Sequence, residues 1–218
     1  YFTWDRSGTG KNILHLLTPA EDKIWHAAFP YQDSRPNDKG HIEVVTYFAL
    51  ELLKLVPTAT REVVLPAAIL HDIGWSQMPK EVLGWFKDPY HPDFQKVKNP
   101  EIRQQHQDEG VKLARRLLTA CRYPEEYHKE ILRIIGDHDT RKNFTGIDAH
   151  VMGDADVLWR FTVIECENYI RPQFLLNLNR YLRRKKVRRA IDVRAKLQAS
   201  QDFEARFGRQ KCSVPVGK

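Results

Sequence analysis

In this 218-residue chain the feature that most restricts the fold is the placement of four histidines on apolar stripes of helical period. His41 falls in line with Val45, Phe48 and Leu52, and His71 with Val64 and Ala68. His106 falls in line with Ile102, Gly110 and Leu113, and His138 with Tyr127, Ile131 and Ile134. Residues three or four apart share one face of an α-helix, so each stripe predicts a helix whose buried face carries an imidazole. A buried imidazole must find partners for its ring nitrogens. One such histidine is ordinarily a satisfied core residue. Four arriving from four helices point instead to a bundle interior in which imidazoles and carboxylates gather around metal.

The rest of the pattern agrees with a bundle. Helices are expected over about 20–29, 41–56, 61–74, 101–121, 124–137, 146–170 and 174–207, with Thr60 as an N-cap, Pro66 near the start of its helix and Pro124 in a first turn. The run Val63 to Leu70 is apolar on every face and should be buried nearly all round. A proline-rich stretch between Pro79 and Pro100, carrying Trp85 and Phe86 as exposed aromatics, reads as a lid or insertion. No strand-like alternation of useful length and no repeat is present. With 42% hydrophobic residues the chain can fill one core. The expected fold is all-α: a single-domain helical bundle with an irregular lead-in at 1–19, a metal-binding body at 20–172, and a basic helix and tail at 173–218 packed on it.

Charge and cysteine content narrow the function classes. The net charge is +7, from 35 Lys and Arg against 28 Asp and Glu. Residues 180–196 hold nine basic side chains and one acid, a local +8 that leaves the remainder at −1. The basicity therefore belongs to one segment, and a nucleic-acid or other polyanion partner would meet the chain there. Its interspersed Tyr181, Leu182, Val187, Ile191, Val193 and Leu197 favour docking on the bundle with the cationic face solvated. Three widely spaced cysteines, Cys121, Cys166 and Cys212, form neither a disulfide framework nor a zinc ribbon, and a reducing, cytoplasmic setting is expected. No run approaches a membrane span, and the polar start Tyr1 to Asp5 has no signal-peptide character. Tyr1 in place of Met leads us to expect a trimmed or processed chain.

Carboxylates accompany the histidines. Asp72 follows His71 at the end of the buried helix, and Asp154 and Asp156 interrupt an apolar run, Gly153-Asp154-Ala155-Asp156-Val157-Leu158. The other His-Asp dipeptide, His138-Asp139, is of the kind that chance supplies. His15, His91, His128 and His150 lie in polar or loop contexts and read as surface residues, while Trp25, His26, Tyr31 and Trp75 are candidates for a pocket wall or core.

These residues resemble the pattern H…HD…D of the HD-domain superfamily: a helix-initial histidine, a His-Asp pair ending a buried helix, and a distal aspartate. His41, His71, Asp72 and Asp156 match the four positions over about residues 20–165. Asp156 is selected by the Ala-Asp-x-Leu form of the distal motif, with Asp154 as the fallback. In HD domains with two metals, two further histidines are recruited, and His106 and His138 fit that role. The resemblance implies one ion on His41, His71, Asp72 and Asp156, and a second on Asp72, His106 and His138, with Asp72, His106 and His138 nearest the reaction. Nitrogen and oxygen donors without thiolate suit one or two ions of Mn, Fe, Co, Ni or Zn. The leading expectation is metal-dependent hydrolysis of a small phosphate ester or nucleotide, with Arg35, Arg141, Lys142 and Arg160 as candidates for holding substrate phosphate. The same scaffold resembles mixed-valent diiron oxygenases that cleave C–C or C–P bonds, and non-catalytic HD sensors whose basic helix would bind a polyanion.

Overall fold

A computed structural model of the chain describes residues 8–35, 39–86, 96, 99–140 and 145–159. Among these residues the α-helices are α1 (Pro19–Ala28), α2 (His41–Leu55), α3 (Arg61–Leu70), α4 (Lys80–Gly84), α5 (Pro100–Ala120), α6 (Glu125–Ile135) and α7 (Ile147–Trp159), with short 3₁₀ segments between them and no strand. The fold is all-α. No described helix is long and apolar enough to cross a membrane. The basic run 180–196, the helix expected over 174–207, and Arg141, Lys142, Arg160, Cys166 and Cys212 lie outside the described residues.

The segment that is apolar on every face becomes the axis of the bundle. Val63 to Leu70 are all buried, because α3 is enclosed by α1, α2, α6 and α7. Helix α2 runs along α7, and α5 packs against α6 and the 3₁₀ segment Ile73–Gln77. The chain enters this bundle through a capping box: the Thr18 hydroxyl accepts from the Glu21 N–H, and the Glu21 carboxylate accepts from the Thr18 N–H. The same buried carboxylate takes two hydrogen bonds from Arg61, at 2.7 and 2.8 Å, and so ties α1 to the start of α3. Within the lead-in, Ile13 is fully buried in the main core.

Several local expectations change. Helix α3 ends at Leu70, four residues earlier than periodicity suggests, which leaves His71 at its C-cap. His138 likewise follows α6 and its C-cap Gly136 rather than lying within the helix. The Thr60 hydroxyl makes no cap bond; the Thr60 N–H instead donates to Asp148 on α7 at 2.7 Å. Pro124 is the N-cap residue of α6, one position before the first turn. Phe86 is buried at 6% exposure and joins Trp75, Met78 and Val82 in a small second apolar cluster against Ile102. His128 is only partly exposed, its Nε2–H donating to the Tyr123 carbonyl at 2.9 Å.

Pro66 sits in the second turn of α3 rather than at its start. Lacking an N–H, it leaves the carbonyl of Glu62 without its helical donor. The Tyr123 hydroxyl, from the turn after α5, supplies the replacement at 2.8 Å. Within α5, the contact with the 3₁₀ segment is backbone to backbone. A Cβ on Gly74 would lie 1.9 Å from the His106 carbonyl oxygen and 2.5 Å from the Gly110 nitrogen. Tyr123→Phe should therefore cost about 0.5–1.5 kcal/mol, the net worth of one hydrogen bond. Gly74→Ala should cost more, since backbone must move to admit the methyl group. Urea denaturation of the two variants beside the parent checks both magnitudes.

Candidate metal centre

Asp72 is the point on which the elements converge. It follows the α3 C-cap and is 9% exposed at its side chain. Its Oδ2 faces His41 Nε2 at 3.3 Å and His71 Nε2 at 3.4 Å. Its Oδ1 faces His138 Nε2 at 3.2 Å and His106 Nε2 at 3.6 Å. Asp156 completes the first side, its Oδ1 lying 3.4 Å from His41 and 3.7 Å from His71. All six residues expected at a metal site thus meet in one place. Asp154, two residues away and so on roughly the opposite face of α7, is buried but belongs to no such donor group among the described residues.

Each imidazole is aimed by its surroundings. His71 Nδ1 donates to the Ala68 carbonyl and His138 Nδ1 to the Ile135 carbonyl, both at 2.9 Å. A carbonyl only accepts, so Nδ1 carries the proton and Nε2 is the atom presented to the centre. His41 opens α2, where the preceding Gly40 adopts the left-handed conformation (φ 83°) that a non-glycine residue would resist. The His106 ring stacks on Trp75 at 4.0 Å between centroids and 14° between planes, and the Trp75 indole N–H donates to Asp72 Oδ1 at 3.2 Å.

Electrostatics hold this cluster together. Burial pushes the Asp72 carboxyl upward, but the Arg35 guanidinium, 2.5 Å away, and the His138 hydrogen bond hold it well below the usual carboxylate range. Burial also opposes the charged form of His138, yet its bond to Asp72 and the nearby Asp139 push it up to about 9. Burial dominates at His106 and lowers it. The Arg35 guanidinium lies 5.3 Å from the centroid of the Trp75 ring and 5.6 Å from that of Phe86. It borders a recess lined by Asp33, Ser34, His41, Ile42, Asp72 and Trp75. Of the four cationic residues considered as phosphate holders, Arg35 reaches the cluster and the other three fall outside the described residues.

The donors fit metal. Two ligands about 2.1 Å from one ion and at right angles lie about 3.0 Å apart, and His41 Nε2 and His71 Nε2 are 3.1 Å apart. His106, with 0% exposure, has both ring nitrogens without a hydrogen-bond partner, an arrangement that a ligated ion relieves. Three donor groups are compact enough to hold an ion: His41, His71 and Asp156; His71, Asp72 and His138; and His106, His138 and Asp139. Asp139 was overlooked in the sequence because a His-Asp pair has no weight without a known neighbour.

Metal uptake at His138 would have to strip the proton from its Nε2. With the group raised to about 9, binding at pH 7.5 should release protons, and metal affinity should climb with pH until about 9. The same shift stabilises the metal-free fold fully below the ordinary histidine value near 6.5 and is lost as pH rises through about 9. Calorimetric titration with Mn2+ in two buffers of different ionisation enthalpy measures the released protons.

A family model, the HD domain, matches residues 39–192, which cover every residue of the convergent cluster. No curated protein and no solved structure matches the chain. The match spans well over half of the sequence: the chain belongs to the HD-domain family, in the superfamily of metal-dependent phosphohydrolases.

Proposed function

We propose that the protein hydrolyses a small phosphate ester or nucleotide with divalent metal held by His41, His71, Asp72, His106, His138 and Asp156. The observation that carries this reading is the division of the buried Asp72 carboxylate: one oxygen faces His41 and His71, the other His106 and His138. A carboxylate placed so would offer one oxygen to each of two ions. When bound, such ions supply Lewis-acid polarisation of a phosphoryl oxygen and an activated water.

The chain's own residues supply the rest. The cation of Arg35 is held against Asp72 at the rim of the recess, where its forked donors suit a phosphate oxygen pair once metal neutralises the aspartate. Trp75 and Phe86 flank the guanidinium, shield it from water and restrict its swing. His71 and His138 are kept in the tautomer that presents Nε2, so no ring reorientation is needed when metal or substrate arrives.

Asp72→Ala should lose metal and lower turnover at least about a hundredfold, as expected for removing a residue that orders the whole set. Arg35→Gln should keep metal and lower kcat/KM about tenfold to a hundredfold, mostly through KM, the scale of one charged hydrogen bond. The assay is a screen of nucleotides and phosphate monoesters on anaerobically purified protein loaded with Mn, Fe, Co, Ni or Zn. Retained phosphatase turnover in Asp72→Ala refutes the site. Oxygen consumption with a polyol or phosphonate, and no phosphate release, replaces hydrolysis with the oxygenase reading. Loaded protein inert in both assays is the sensor reading.

A further inference from the structure

Resting on that two-ion reading, we propose that Asp139 is a seventh metal-ligating residue and completes the second centre, so that each ion, divalent Mn or Fe by donor type, takes two imidazoles, one terminal carboxylate and one oxygen of Asp72. The first centre already has this composition in His41, His71, Asp156 and Asp72 Oδ2. The second repeats it with His106, His138, Asp139 and Asp72 Oδ1. Asp139 Oδ2 lies 3.8 Å from His106 Nε2, and the three terminal donors fall within 4.8 Å of one another. The 3.8 Å separation of Asp139 and His106 lies between the cis and trans distances, about 3.0 and 4.2 Å, around an ion at about 2.1 Å. A donor set of two nitrogens and two carboxylate oxygens suits Mn(II) and Fe(II) better than an all-imidazole set would.

Two independent features support the assignment. His106 is fully buried on this side of Asp72 with both ring nitrogens unpartnered; a buried donor of that kind calls for a ligand. In addition, His138-Asp139 repeats the local construction of His71-Asp72. In both, a histidine just past a helix end donates Nδ1–H to the carbonyl three residues earlier, at 2.9 Å, and an aspartate follows. Asp139 is also held in place. Its backbone N–H donates to the buried Gln107 Oε1 at 3.0 Å, and its Oδ1 is 3.3 Å from Arg103 Nη1, which leaves Oδ2 toward the imidazoles. Gln107 follows His106 on α5, so the same turn of helix sets both donors.

The test is Mn2+ titration of metal-free protein by calorimetry, with electron paramagnetic resonance of the loaded protein, on wild type, Asp139→Asn and Arg103→Gln. Wild type should take two ions and show an exchange-coupled pair. Asp139→Asn should bind the first ion unchanged, lose at least about tenfold in affinity for the second, and show a single-ion spectrum at one equivalent excess. Arg103→Gln, which removes the ion pair and keeps the carboxylate, should hold both ions. Two unchanged affinities in Asp139→Asn overturn the proposal, as does loss of the second ion in Arg103→Gln alone. A wild type that binds fewer than two ions refutes the two-ion reading itself. Thermal unfolding of each metal-free variant establishes that it is folded; if Asp139→Asn is not, Asp139→Ser is measured against the same outcomes.

Discussion

The structure depends on one buried negative charge. Asp72 is almost wholly removed from water, a position that costs several kcal/mol for an isolated carboxylate. It remains ionised because Arg35 touches it and imidazoles from four elements surround it. His71 and His138 are held by backbone carbonyls, while His41 opens α2 and His106 lies on α5, so the requirement of one carboxylate propagates into the placement of α2, α5, α6 and the loop before α2. A cation held on this carboxylate would take over the part that Arg35 plays as its counterion in the structure.

The bundle delivers these groups by its helix ends rather than its helix faces. His41 begins α2, while His71 and His138 lie just past the ends of α3 and α6. Helix ends carry carbonyl and N–H groups without internal partners, and here two of those carbonyls accept ring protons and orient the imidazoles. Helix α3 can place its end so deep because it is apolar on all sides and enclosed by four neighbours. His106 and Asp156 come from within helices, and the His106 ring is stacked on Trp75.

What the sequence made legible was the inward direction of the histidines, since the 3.6-residue period survives whatever the helices pack against. The all-α fold and the buried character of α3 followed from the same signal. The period also misled: it continues smoothly through His71 and His138 although the hydrogen-bonded helix has ended, because a C-terminal turn keeps nearly helical geometry. Phe86 looked exposed because a proline-rich stretch has no periodic frame against which to judge an apolar side chain. Arg35 could be suspected from its closeness to His41 in the chain, but its contact with Asp72 spans 37 residues and no local pattern encodes that. Asp139 was hidden for a similar reason: its meaning comes from α5, 32 to 36 residues away, where Gln107 and Arg103 hold it.

The contact of Gly74 with α5 has a further bearing on how such a site persists. His106 and Asp72 belong to two elements joined at bare backbone, with the His106 carbonyl itself at the point of closest approach. A metal ligand has a positional tolerance of about 0.5 Å, whereas a single methyl group inserted at that seam would part the elements by more than that. The bare glycine at residue 74 thus acts as a fixed gauge between His106 on α5 and the Asp72 carboxylate. Side chains elsewhere in the core can exchange volume with their neighbours; this seam has none to exchange.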